Sequence, residues 1–219
     1  MHFVVKLFPE IVIKSPPVRR QQTKILHDNI QRLLKPLGMG IKVVRDWEKI
    51  EVSCDQDDSE LHASIVDCLR STPGISKFSE AQTFEYRDLD HICSLVLEKY
   101  KSSIGGKSFG VRAKRSGQQS FNSMDVERAV GSALMTQTEA ASVDLKNPDI
   151  WVELEVRGDR IFLLGESWLG LGGFPIGSQD KVISLISGGF DSSVSSFQAM
   201  RRGMLTHFLF FNIGGRAHE

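Results

Sequence analysis

Ser187-Gly188-Gly189-Phe190-Asp191-Ser192 follows the apolar run Val182-Ile183-Ser184-Leu185-Ile186 and precedes a segment with helical spacing. The run is short, β-branched and nearly all apolar, which suits a strand buried on both faces of an α/β sheet. Its sharp exit carries two glycines, whose backbone amides can approach an anion with no Cβ in the way. The helix that follows turns its positive end toward the same charge. Ser187 and Ser192 can add hydroxyl donors, while Asp191 can either hold Mg²⁺ or cap the helix. From Ser193 the apolar positions Val194, Phe197 and Met200 to Met204 recur at helical spacing, with Gly203 as the stop signal after Arg201 and Arg202. Leu205 to Phe211 reads as a second buried strand. The result is one β-loop-α-β unit with a phosphate-binding loop at the mouth of a parallel sheet.

Neither G-x-x-x-x-G-K-[ST] nor G-x-G-x-x-G occurs here, which excludes a Walker loop and disfavours a dinucleotide fold. The segment instead resembles Ser-Gly-Gly-x-Asp-Ser, the signature of the ATP pyrophosphatase (PP-loop) group. Members of that group adenylate a substrate and release pyrophosphate.

The chain has 219 residues, enough for one large or two smaller domains, and its 41% hydrophobic and 25% charged composition is that of an ordinary globular protein. Basic and acidic residues balance at 27 each, so nucleic-acid binding requires a local basic patch and not overall charge. Cys54, Cys68 and Cys93 are isolated, which argues for a reducing compartment and against a disulfide framework or zinc site. The histidines are equally dispersed and show no metal-ligand spacing. No apolar run approaches the roughly 20 residues that span a bilayer. The opening Met1 to Phe8 is too short for a signal peptide, so the cytoplasm is the expected location.

Along the chain, His2 to Leu7 reads as a strand. Pro17 opens a helix with Val18, Ile25, Leu26, Ile30, Leu33, Leu34 and Leu37 on one face, ended by Gly38 and Gly40. Ile41 to Arg45 and Ile50 to Cys54 form a hairpin joined through Asp46-Trp47-Glu48-Lys49. A second helix buries Leu61, Ile65, Cys68 and Leu69 and stops at Pro73-Gly74, and Ile75 to Phe84 supplies another strand. This β-α-β-β-α-β order is that of a ferredoxin-like split βαβ unit, an α+β domain at roughly residues 1 to 80.

A second pattern starts near Asp88, where Leu89, Ile92, Leu95, Val96 and Tyr100 mark a helix ending before Gly105-Gly106. Phe109 to Lys114 is a strand whose alternation sends Val111 and Ala113 to one side and Arg112 and Lys114 to the other. Lys107 and Arg115 extend the charge, and no acidic residue lies between Lys107 and Gln119. This basic stripe suits phosphate oxygens, or else is simply a solvated strand face. Ser123 or Asn122 can cap a helix carrying Val126, Val130 and Leu134. Ile150 to Val156 and Arg160 to Leu164 make a hairpin through Gly158-Asp159. The second domain is placed at roughly 81 to 165.

Residues 166 to 180 interleave Gly170, Gly172, Gly173, Pro175 and Gly177 with Trp168, Leu169, Leu171, Phe174 and Ile176. Flexible linkers lack such aromatics, so this is read as an ordered connector that packs on its neighbours and helps to shape a nucleotide pocket, or else, on its glycine and proline count, as a plain interdomain linker. Residues 181 to 219 hold the β-loop-α-β unit.

Five stretches now stand in one order: Lys6-Leu7-Phe8-Pro9-Glu10-Ile11 through Lys14-Ser15; Val111-Arg112-Ala113-Lys114-Arg115; Asp125-Val126-Glu127-Arg128; Gly172-Gly173-Phe174-Pro175-Ile176-Gly177; and the loop from Ser187 to Ser192. Together they resemble the tRNA 4-thiouridine synthetase family, also called ThiI or tRNA sulfurtransferase, along the whole chain. The resemblance implies a ferredoxin-like domain and an α/β THUMP domain that bind tRNA, followed by an α/β PP-loop catalytic domain.

It further implies ATP-dependent sulfur transfer. ATP would adenylate the C4 oxygen of a uridine near tRNA position eight, and a persulfide sulfur would displace AMP to leave 4-thiouridine. The ATP site would comprise Leu185, Ile186, Ser187, Gly188, Gly189, Asp191, Ser192, Phe211 and Asn212, with Mg²⁺ at Asp191. Lys107, Arg112, Lys114 and Arg115 would meet tRNA. A cysteine desulfurase would donate sulfur, and the family also links to the thiazole sulfur of thiamine. Homodimerisation is left open.

The chain departs from the family pattern at its end. Only residues 182 to 219 follow the connector, so the PP-loop domain is expected to be truncated, with apolar surface and strand edges exposed. The family's catalytic cysteine lies far downstream of the loop, whereas Cys54, Cys68 and Cys93 precede it and are better explained by packing. No catalytic residue is identifiable, and the chain alone is expected to be inactive. The alternative is a non-catalytic tRNA-binding module with a vestigial loop.

Overall fold

The computed structural model describes residues 1–38, 40–45, 49–56 and 58–211. They divide into two compact units, Met1–Ser79 with Ser167–Glu219, and Glu80–Glu166. The elements are β1 (His2–Leu7), α1 (Pro9–Val12), α2 (Pro16–Leu34), β2 (Lys42–Arg45), β3 (Lys49–Ser53), α3 (Ser59–Arg70), β4 (Ile75–Glu85), α4 (Leu89–Tyr100), β5 (Ser108–Ser116), α5 (Ser123–Gln137), β6 (Ser142–Val143), β7 (Ile150–Arg157), β8 (Arg160–Leu169), β9 (Lys181–Leu185), α6 (Phe190–Arg201) and β10 (Leu205–Leu209).

In the first unit the strands run in the order β2-β3-β1-β4, with β1 and β2 each antiparallel to β3. That places the first strand beside the last and gives the split βαβ arrangement. Phe3, Val5 and Leu7 alternate into a core with Ile50, Val52, Ile75 and Phe78. Pro16 and Pro17 start α2, whose proline ring and missing N–H are tolerated in the first turn. Its buried row is Leu26, Ile30 and Leu34 with the polar Gln22 and Thr23, whereas Val18, Leu33 and Leu37 are exposed. The single-face expectation therefore placed three apolar residues wrongly. Thr23 is admitted because its hydroxyl donates to Arg19 O at 2.7 Å. Asp58 caps α3 by accepting from the amides of Glu60 and Leu61. The turn residues 46 to 48 proposed for the hairpin lie outside the described residues.

Residues 167–180 belong to this unit. Here β8 continues to Leu169, well beyond the expected Leu164. Trp168 stacks on Phe78 at 5.3 Å and lies 6.2 Å from Phe3, so the chain re-enters the first core. The amides of Gly170 and Gly172 then donate to Ser76 O and Ile75 O.

In the second unit the order is β8-β7-β5-β6, with β5 parallel to both β6 and β7, and β7 antiparallel to β8. Sequence inspection missed β6, which has only two residues and no apolar alternation. Ile92, Val96 and Tyr100 of α4 and Val126, Val130 and Leu134 of α5 fill the core against Phe109, Val111, Ala113 and Val152. Asn122, not Ser123, caps α5, and it forms a reciprocal capping box with Asp125. No helix among the described residues is long and apolar enough to cross a membrane.

Candidate functional site

In the first unit, β9 and β10 pair in parallel from Lys181↔Leu205 to Leu185↔Leu209, and Ile186 N extends the pairing by donating to Leu209 O at 2.9 Å. Parallel pairing puts both carboxyl ends on one side, where ligands of α/β sheets bind. Leu185, Ile186, the loop from Ser187 to Ser192 and Phe211 are thereby brought to that end. Asn212 lies outside the described residues.

The loop turns at Gly188, whose φ of 80° is a left-handed conformation that glycine alone adopts cheaply. Gly189 is the helix N-cap, with no side chain accepting from the first turn of α6. The helix begins at Phe190, three residues earlier than its apolar spacing indicates, so Asp191 and Ser192 lie in its first turn and Asp191 is not the cap. Ser192 Oγ donates to Gly189 O at 2.9 Å and stands 3.5 Å from both Ser187 N and Ser187 Oγ. Ser196 Oγ donates to Ser192 O at 2.5 Å and lies 2.6 Å from Ser184 Oγ, which ties α6 to β9. Amides at an uncapped helix start, flanked by hydroxyls, form an anion cradle. No group of three or more His, Cys, Asp or Glu able to hold a metal exists among the described residues. Asp191 is a lone exposed carboxylate, and a Mg²⁺ ion there would need phosphate oxygens and water for its remaining ligands.

The strands of this cradle are not buried on both faces as their composition suggests. Ile183, Leu185 and Phe208 are 69%, 60% and 57% exposed, and Val194 and Phe197 of α6 are exposed too. One helix covers a two-stranded sheet on one side only, so the apolar composition fits more layers than the described residues provide. The connector meets α6 at its other end. Phe174 N donates to Arg201 O and Gly177 N to Gly203 O, both at 2.9 Å, about 18 Å along the 12-residue helix from the loop. The expectation that it shapes a pocket at the loop is therefore corrected.

In the second unit, β5 buries Phe109, Val111 and Ala113 and exposes Arg112 and Lys114. The Arg112 guanidinium lies 3.6 Å above the Trp151 ring. Trp151 fits because its Cα partner is Gly110, where a Cβ would fall 2.6 Å from the indole. Lys107 and Arg115 do not join this row. Lys107 precedes the strand, next to the Asp149 carboxylate, whose pKa is held low chiefly by hydrogen bonds from Ser108. Arg115 Nη1 donates to Gly117 O at 2.7 Å and Gln119 Oε1 at 2.8 Å.

Acidic residues absent from the stripe in sequence arrive from the neighbouring strand. Glu153 stands opposite Arg112 and Glu155 opposite Lys114 in the parallel register. Glu155 is only 2% exposed and pairs with Arg157 at 2.7 Å. Trp151, Glu153 and Glu155 escaped the sequence reading, although their own period-two spacing in residues 150–157 was the available signal. What remains is a pair of exposed cations, one of them stacked, suited to phosphate oxygens. As for the cysteines, Cys54 is buried, and burial pushes the Cys68 and Cys93 thiols up, away from the reactive thiolate.

Family models match three successive parts of the chain: a ThiI ferredoxin-like domain at residues 2–79, a THUMP domain at 86–164, and "Thiamine biosynthesis protein (ThiI)" at 177–219. A tRNA sulfurtransferase from Saccharophagus degradans is 46% identical over 219 residues, all of this chain and 45% of the relative. The chain thus spans about half the length of the curated relatives it matches. Among solved structures, PH1313 from Pyrococcus horikoshii is similar with a TM-score of 0.82 at 25% identity, covering 100% of this chain and 70% of that one. A 4-thiouridine synthetase, solved as an RNA complex with bound ATP, gives a TM-score of 0.74 at 25% identity, covering 96% of this chain and 53% of that one.

Proposed function

Because the chain belongs to the ThiI family, we propose that it supplies the RNA-binding domains and the phosphate-binding loop of an ATP-dependent tRNA sulfurtransferase. The observation that carries this reading is the loop, an uncapped helix start behind a left-handed Gly188 at the carboxyl end of a parallel strand pair. Similarity to a 4-thiouridine synthetase solved with RNA and ATP supports it.

In this reading the amides from Gly188 to Ser192, with the Ser187 and Ser192 hydroxyls, hold the β- and γ-phosphates. Leu185, Ile186 and Phe211 border the adenosine. Asp191 would hold Mg²⁺, which supplies counter-charge to the phosphates. The C4 oxygen of a uridine near position eight attacks the α-phosphorus, and the bond to the pyrophosphate oxygen breaks. The loop stabilises the charge gathering on that leaving group, as preorganised donors do. A persulfide sulfur then attacks C4, AMP departs with the original oxygen, and a second thiol cleaves the sulfur–sulfur bond left on C4, so that 4-thiouridine is released and the carrier ends as a disulfide. Arg112 and Lys114 meet the RNA backbone, with Lys107 and Arg115 outside their row. A cysteine desulfurase delivers the sulfur, which is also the source for thiamine thiazole.

The test is pyrophosphate release from ATP with unmodified tRNA, measured on the protein isolated from its own cells. Ser192→Ala should slow release about a hundredfold, the cost typical of losing one such donor, and Asp191→Ala should slow it by removing the carboxylate that would hold Mg²⁺. Wild-type rates in both variants would contradict the reading.

A further inference from the structure

Two of the five stretches singled out in the sequence, Lys6 to Ser15 and Gly172 to Gly177, have no part in the phosphate loop. The fold of the first unit brings them together at the C-terminal end of α6, where they border an open cleft of about 700 Å³ with Arg201 and Arg202. That volume lies within the roughly 300–1,000 Å³ in which proteins hold ligands.

The cleft has one apolar wall and one cationic rim. Phe8 and Phe174 meet edge to face, 6.3 Å between centroids. Lys14 Nζ stands 6.0 Å from the Phe174 centroid. Arg201 is steered by its Nε, which donates to Leu171 O at 2.9 Å. Among the described residues, Lys14, Arg201 and Arg202 form no ion pair, and neither does Glu10 on the same rim. Three cations against one carboxylate leave the rim positive. The carbonyls ending α6 would oppose an anion, but Ala199 O and Arg201 O already accept from the amides of Met204 and Phe174.

A bare phosphate would use the cations and ignore the rings. An unstacked nucleotide uses both, because any base can lie on an aromatic face while its phosphate meets a cation. Glu10 can accept from a ribose 2′-hydroxyl, and the Gln179 and Gln198 carboxamides in the lining can meet base edges. We propose that this cleft holds one unstacked nucleotide of an RNA, its phosphate on Lys14 and Arg202 and its base against Phe8 and Phe174. The proposal rests on the RNA-binding function inferred above.

The experiment is fluorescence anisotropy of an unmodified, end-labelled tRNA transcript titrated with the chain at several salt concentrations. Lys14→Gln and Arg202→Gln should each weaken binding about threefold to tenfold and reduce the salt slope by about one, as losing one phosphate contact does. Phe174→Leu should weaken it at least fivefold with the salt slope unchanged, the signature of lost stacking. Both glutamine variants are at exposed positions, so they report even where Phe174→Leu lowers stability. If Lys114→Gln weakens binding while Lys14→Gln and Arg202→Gln do not, the cleft proposal fails and the wider RNA reading stands. Wild-type protein that does not bind the tRNA overturns both. Unchanged tRNA affinity with calorimetric binding of free AMP lost in Lys14→Gln would overturn the RNA assignment and give the cleft to a mononucleotide.

Discussion

At Arg112 a single stacking contact decides how the strand presents its charge. The indole of Trp151 holds the guanidinium flat, so less rotamer freedom is lost when a phosphate arrives. Exposed cation–π pairs are worth about 0.5–1 kcal/mol, so Trp151→Leu should weaken tRNA binding roughly twofold to fivefold by anisotropy. Unchanged affinity would mean that the stack does not matter. Tyr100 makes a second residue-scale prediction. Burial pushes its phenol up to about 12, and its hydroxyl donates to Leu164 O at 3.1 Å. The folded state favours the protonated form, so this stability is complete below the ordinary pKa of about 10 and fades as pH rises toward 12. Denaturant unfolding should therefore show a loss on the order of 2 kcal/mol across that window, and Tyr100→Phe should flatten it.

Secondary-structure elements reveal what reading one strand at a time conceals. The alternation of β5 was legible, and Arg112 and Lys114 emerge on one face as their spacing indicates. The register with β7 was not legible, because pairing joins residues about forty apart and nothing local to Lys107–Gln119 announces Glu153 or Glu155. Like or unlike charges on paired positions add or cancel. Glu153→Gln should therefore tighten tRNA binding about twofold to fivefold at low salt, the gain shrinking as salt screens it. Weaker binding would show that Glu153 orients Arg112 and does not oppose RNA. The loop from Ser187 to Ser192 was legible for a different reason. Its glycines, serines and flanking strand and helix are contiguous, so its geometry is a local property.

Over the whole chain, the order of domains was readable from element order and from motifs, and the ferredoxin-like and THUMP folds follow it. What composition could not reveal was which apolar residues lack a partner. Buried strands and the exposed β9 and β10 read alike, since hydrophobicity reports the surroundings a segment evolved in. The β9-α6-β10 unit, with Phe190 92% exposed, should be the least protected part of the chain. Hydrogen exchange should label β9 and β10 amides well before those of β1 and β5, and equal protection would show that another surface covers them. In the proposed function, tRNA is gripped through the cations of β5. This is tested most directly by the salt dependence of tRNA affinity for wild type and for Arg112→Glu and Lys114→Glu. Wild-type affinity should fall steeply as salt rises, each reversal should weaken binding at least tenfold at low salt, and each should flatten the slope by one or more. Salt-insensitive binding, or reversals indistinguishable from wild type, would contradict it.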